Sequence, residues 1–206
     1  MPSTSTTYRF AELFVLFLLT PTLYFFDLIP GHKIVPLLIL FLYCVVILFV
    51  FKPVNPHRFK ARANWKFITA RFVVICLVIF LWITFFTTGP ILADFAQNKQ
   101  LLVMTVIYPV TSAFPQELIF REFFFYRYEP ILKNTTLMVG TNVILFSFAH
   151  LYFANWTVMI FTVAGGLIFA FTYLKTKSLL VVTLEHTLFG MVILSSGLAN
   201  QFYKAF

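Results

Sequence analysis

Seven long apolar runs separated by short polar connections constrain this chain more than any other feature. They fall at roughly 10–30, 34–51, 67–88, 101–127, 136–154, 156–174 and 178–198. Each approaches the ~20 apolar residues with which an α-helix crosses the hydrocarbon core of a bilayer. In lipid every backbone N–H and C=O must be paired inside the protein, so runs of this kind have the helix as their outlet. With 61% hydrophobic and 11% charged residues, and 29 Phe among 206 residues, the chain carries more apolar surface than one water-facing globule can hide. The sequence therefore predicts an all-α, polytopic integral membrane protein of about seven transmembrane helices, forming a single membrane domain over 1–206. Collagen, disordered, solenoid and disulfide-scaffold classes are excluded.

Two runs carry prolines that bear on their shape. The fourth is too long for one span and contains Pro109 and Pro115. It predicts an outer piece followed by a helix starting near Pro115, where a first turn tolerates the missing N–H. Pro21 predicts a kink in the first run. The opening MPSTSTTYRF has no basic n-region and no A-x-A-like site follows it, so the first run reads as an uncleaved span.

The formal net charge is +8, but the cations lie in the connections between apolar runs, which excludes a groove-reading patch and a nucleic-acid partner. With the N-terminus inside, the cytoplasmic side collects 11 cations: Arg9, the cluster Lys52, Arg58, Lys60, Arg62, Lys66 and Arg71, then Arg127, Lys133, Lys175 and Lys177. The outside keeps 3, namely Lys33, Lys99 and Lys204. This partition predicts a cytoplasmic N-terminus and an external C-terminus. The cluster at 52–71 would draw anionic lipid or an acidic peptide to the cytoplasmic face. Cys44 and Cys76 lie inside apolar runs and pack as small hydrophobes.

Ionisable groups at membrane depth are costly, so each marks a site or needs a partner. Away from span ends they are Glu117, Arg121, Glu122, His150, Glu185 and His186. All fall in the C-terminal half. The expected division is an N-terminal helical scaffold over 1–100 with none at depth, and a polar core over 101–198. Glu117 and Arg121 are spaced i, i+4 on one helix face, in the favourable order for an ion pair. Glu117 and His150 are equidistant from the Lys133-Asn134 turn, so an antiparallel hairpin puts them at one depth. His186 lies about 15 Å beyond the Lys175-Thr176-Lys177 turn, the distance of Glu117 from Arg127. Three polar groups from three helices thus meet in one layer. Glu185 and Glu122 point to other faces, where Glu185 either orients a neighbouring cavity or snorkels. Gly166-x-x-x-Ala170 reads as a close helix contact. Asn134-Thr-Thr136 and Asn155-Trp-Thr157 fit the glycosylation pattern but hug the membrane.

These residues resemble a known family. Gln116-Glu117-x-x-x-Arg121, then Phe146-x-x-x-His150, then His186 four residues before Gly190, are similar to the three motifs of the CPBP family of intramembrane proteases. Also called the Abi family, it contains the type II CAAX prenyl endopeptidases and bacterial members linked to bacteriocin immunity. Its pattern is Glu-Glu-x-x-x-Arg, Phe-x-x-x-His and His-x-x-x-Asn or Asp, and the resemblance covers about 110–195. It implies a glutamate-dependent endopeptidase acting on a membrane-embedded or lipidated substrate, with no cofactor. Glu117, His150 and His186 would be catalytic, with Gln116, Arg121, Phe146 and Gly190 in support. Glu117 and His150 would activate water and His186 would face the oxyanion. Two positions depart from the pattern: Gln116 replaces its first Glu and Gly190 its terminal Asn. The Pro-Gln-Glu reading resembles bacterial members, which implies a bacterial inner-membrane location.

The chemistry does not depend on the resemblance. Peptide hydrolysis in lipid needs a base for water, a donor for the oxyanion and a polar cavity to hold both. Two alternatives stay open: a zinc centre built from Glu117, His150 and His186, and a catalytically degenerate binding, immunity or chaperone-like protein. A transporter is disfavoured, because the polar residues lie in one half and no repeat is present.

Overall fold

A computed structural model describes residues 5–30, 34–51, 63–87, 91–92 and 99–199 as seven successive helical segments. They are α1 (Thr6–Phe25), α2 (Ile34–Phe51), α3 (Trp65–Phe86), α4 (99–128), α5 (Thr135–Phe148), α6 (Trp156–Thr176) and α7 (Leu179–Leu194). The expectation of an all-α membrane protein holds. Among the described residues, five helices are long and apolar enough to cross a bilayer: α1, α2, α3, α6, and α5 taken through its terminal turn to Phe153. Of the rest, α4 carries four charged residues within 117–127, and α7 has 16 residues. Lys33, Lys52, Arg58, Lys60, Arg62 and Lys204, which enter the charge partition, lie outside the described residues.

The fourth run does not break. Residues 99–128 form one continuous helix in which two stretches, Pro109–Ala113 and Leu118–Phe123, are π-helical. A proline inside an α-helix removes one hydrogen bond and presses on the carbonyl four residues back. Widening the turn to i→i+5 pairing relieves that pressure without ending the helix. A π-helical stretch, Val15–Leu19, likewise precedes Pro21 in α1. There the hydroxyls of Thr20 and Thr22 donate to the carbonyls of Val15 and Leu18 at 2.8 and 2.7 Å. The fifth run is also shorter as an α-helix than expected. It ends at Phe148, and His150 stands where the chain turns into a short 3₁₀ segment, Leu151–Phe153.

The turns follow from their residues. Asn134, Asn155 and Ser178 each accept a backbone N–H at the start of α5, α6 and α7, so both apparent glycosylation sites are helix caps. Lys177, with φ 51°, closes α6 immediately before the Ser178 cap. The α5–α6 hairpin and the α4–α7 pair pack most extensively, and α7 also lies against α3 and α6. The core is an aromatic mass on α4, α5 and α6, including Phe123, Phe124, Phe146 and Phe169. On α2 only Cys44 and Leu48 are buried, while Phe49, Phe85 and Phe86 lie on the outside of the bundle. An apolar exterior of this kind fits lipid.

Near the starts of the first and third helices, at positions set aside as span ends, the scaffold also carries partnered ionisable groups. Glu12 of α1 is buried and receives both Nε (2.7 Å) and Nη2 (3.2 Å) of Arg127, together with the Tyr43 hydroxyl. Arg9 donates to the Arg127 carbonyl at 2.8 Å. Arg71 lies within α3 rather than in a connection, and pairs with Glu185 and Thr172. The pairs run in both directions, Glu12 of α1 holding Arg127 of α4 and Arg71 of α3 holding Glu185 of α7, because an unpaired charge in lipid is far costlier than a pair. Glu185 therefore serves as a helix–helix tie, and Glu122 accepts the Tyr173 hydroxyl at 2.6 Å.

Candidate active site

Glu117 sits where the short α-helical stretch Phe114–Glu117 meets the second π-helical stretch, and it is completely buried. Two cationic or potentially cationic groups hold it. Nδ1 of His186, from α7, lies 2.7 Å from Oε1. Nε of Arg121 lies 3.2 Å from Oε2. The second is a charge contact without hydrogen-bond alignment, so Oε2 keeps its acceptor capacity among the described residues. The arginine is itself locked, donating to Asn142 Oδ1 and, at 3.3 Å, to the Gly166 carbonyl. Asn142 in turn donates to the Phe120 carbonyl at 2.6 Å, tying α5 back to α4. The close contact expected at Gly166 is present: a Cβ there would lie 3.2 Å from the Phe146 ring.

Phe146 organises the rest. The Arg121 guanidinium lies over its ring at 5.0 Å, and the rings of His150 and His186 stand 4.9 and 6.0 Å from it. His186 also stacks on Phe169 at 4.5 Å. Nδ1 of His150 lies 2.8 Å from the Phe146 carbonyl. A carbonyl only accepts, so Nδ1 carries the proton and Nε2 is the basic nitrogen. The carboxylate of Glu117 orders His186 the same way. Both imidazoles therefore present Nε2 as the nitrogen able to take a proton.

Gln116, His150, His186 and Gly190 line one cavity of about 400 Å³, whose wall is otherwise mainly apolar and is completed by α1, α2 and α3. Glu117 and Arg121 do not line it; Glu117 is linked to it through His186. Three groups expected in one layer are thus brought together in two ranks. Glu117 touches His186 directly, while His150 reaches the same cavity around the edge of Phe146. The amide of Gln116 donates to Ser112 at 2.8 Å, and its buried Oε1 has no hydrogen-bond partner among the described residues. Among the described residues no three His, Cys, Asp or Glu side chains converge as ligands to a metal ion would.

Sequence reasoning missed Asn142 and Tyr108. Asn142 is a fully buried amide in mid-helix, four residues before Phe146 on the same face, and that spacing was a usable signal. Tyr108, whose ring stands 6.0 Å from that of His186, gave only its place before Pro109.

Residues 98–192 match the family model described as type II CAAX prenyl endopeptidase Rce1-like. The matched segment, just under half of the chain, contains the three motif-like stretches and is similar to that family of proteases. No curated protein and no solved structure matches the chain.

Proposed function

We propose that the protein is an intramembrane endopeptidase that hydrolyses a peptide bond in a lipidated, membrane-associated substrate. The observation that carries this reading is the 2.7 Å contact between buried Glu117 and His186 at the wall of a largely apolar cavity. A water held between His150 and His186 loses its proton to Nε2 of His186 as its oxygen bonds to the scissile carbonyl carbon. The carbonyl π pair moves onto oxygen, where the Gln116 amide is one donor within reach of the cavity. On collapse the C–N bond breaks and the same proton passes from His186 to the leaving amine. Glu117 fixes the imidazole and offsets the charge it gains, acting through His186 rather than on water directly. That differs from the roles expected from the sequence, with Glu117 as base and His186 facing the oxyanion, and its support is that His186 lines the cavity whereas Glu117 does not. The aromatic and aliphatic walls, Phe17, Leu37, Leu40 and Ile79 among them, suit the prenyl group named in the family description.

The test is hydrolysis of a farnesylated Cys-aliphatic-aliphatic-X peptide by the purified protein in lipid nanodiscs. Glu117→Gln, His150→Ala and His186→Ala should each lower kcat by on the order of 10²–10⁴, and Gln116→Glu, which exchanges a donor to the oxyanion for a carboxylate, should lower it too. Full activity in His186→Ala would overturn the assignment. Chelator-sensitive hydrolysis restored by zinc would replace it with a metal centre. An inert wild type alongside an active Gln116→Glu variant would make this a degenerate binding member.

A further inference from the structure

We propose that Tyr108 donates its phenolic hydroxyl to the developing oxyanion, from a place that Gly190 keeps open. The role rests on the hydrolytic reading above. Gly190 lies one turn beyond His186 on the same face of α7 and lines the same cavity. Cε1, Cζ and the hydroxyl oxygen of Tyr108 occupy the space that a Cβ on Gly190 would need, so any side chain at 190 would expel the phenol. Its ring stands edge-on to His186, with 74° between the planes. The hydroxyl is thus placed against α7 at Gly190, and Tyr108 lines the cavity together with His186.

The first π-helical stretch explains how Tyr108 arrives there. On an unbroken α-helix, residues 108 and 116 would be turned about 80° apart. The one extra residue per π turn brings them within about 20°. Tyr108 and Gln116 therefore face the cavity together, as two neutral donors from one helix. A tetrahedral oxyanion formed beside His186 needs such donors, and a phenol supplies one without placing a second charge in lipid. Position 190 is also where the third motif departs from the family pattern, and the phenol fills the space opened by that departure.

The decisive variant is Tyr108→Phe, which keeps the ring in its place and removes only the donor. With the farnesylated peptide, kcat should fall on the order of 100-fold, with KM within about twofold and the same melting temperature in detergent. Affinity for a phosphinate analogue of that peptide, which carries the tetrahedral oxyanion, should fall by a similar factor while affinity for the uncleaved peptide holds. Gly190→Ala should also lose activity by expelling the phenol. If it misfolds instead, the pair Tyr108→Ala and Tyr108→Ala/Gly190→Asn decides, and the double variant should hydrolyse faster. Wild-type kcat and analogue affinity in Tyr108→Phe would overturn the role of Tyr108 and leave the Glu117–His186 pair standing. A wild type that neither hydrolyses the peptide nor prefers the analogue would overturn both.

Discussion

Arg121 is the residue on which the geometry of Glu117 depends most. Its guanidinium is fully buried, donates to Asn142 and the Gly166 carbonyl and lies in charge contact with Glu117, so it fixes three helices around one carboxylate. Arg121→Ala should therefore destabilise the protein by about 3–5 kcal/mol, since it strands a buried charge. Thermal unfolding in detergent reads this directly, and an unchanged transition would mean that the pair is not coupled. The ionisable half of the site was legible in the sequence for a physical reason. A charge in lipid is so costly that Glu117, Arg121 and His186 declare themselves by being present at all. Neutral polar side chains carry no such penalty. Asn142 and Tyr108 are consequently silent until packing shows what they touch. Glu185 was visible for the same reason as Glu117, but its partner Arg71 was hidden by an apparent place in a basic cluster.

Helix existence was equally legible, because apolar runs of this length have one outlet in a bilayer. Helix interiors were not. Two prolines in 101–127 read as a break, yet the chain absorbs them in π-helical turns, and the rotation so introduced sets which side chains reach the cavity. Periodicity on a regular α-helix has no means of announcing such a rotation. The caps carry a simpler lesson. Asn134-Thr-Thr136 and Asn155-Trp-Thr157 match a modification pattern, but each asparagine is spent on the first N–H groups of a helix. Asn155→Ala should cost about 1 kcal/mol through loss of the α6 cap. Asn155→Asp, which still accepts those bonds, should keep the wild-type melting temperature; a drop as large as for alanine would argue against the capping role.

Across the molecule two ion pairs tie the N-terminal helices to the C-terminal ones, Glu12–Arg127 between α1 and α4 and Arg71–Glu185 between α3 and α7. Several contacts also relate the ends of the bundle. Arg9 near the start of α1 donates to Arg127 near the end of α4, and Tyr126 donates to the last carbonyl of α2 at 2.6 Å. Leu92 and Ser196 pair, so the segment after α3 lies beside the segment after α7. With this arrangement and the cation partition, we propose that the chain starts on the cytoplasmic side and ends outside. Reporter fusions after Lys66 and after Lys204 should then read opposite compartments, and a common compartment would refute the topology. The central claim is that Glu117 and His186 direct water onto a peptide bond inside the bilayer. It is tested most directly by cleaving the farnesylated peptide in H₂¹⁸O with wild-type protein and with His186→Ala in nanodiscs, followed by mass spectrometry of the new carboxyl terminus. The wild type should place one ¹⁸O in that carboxylate and the variant should yield no product above background; cleavage by His186→Ala at the wild-type rate, or no cleavage by the wild type, would contradict the account.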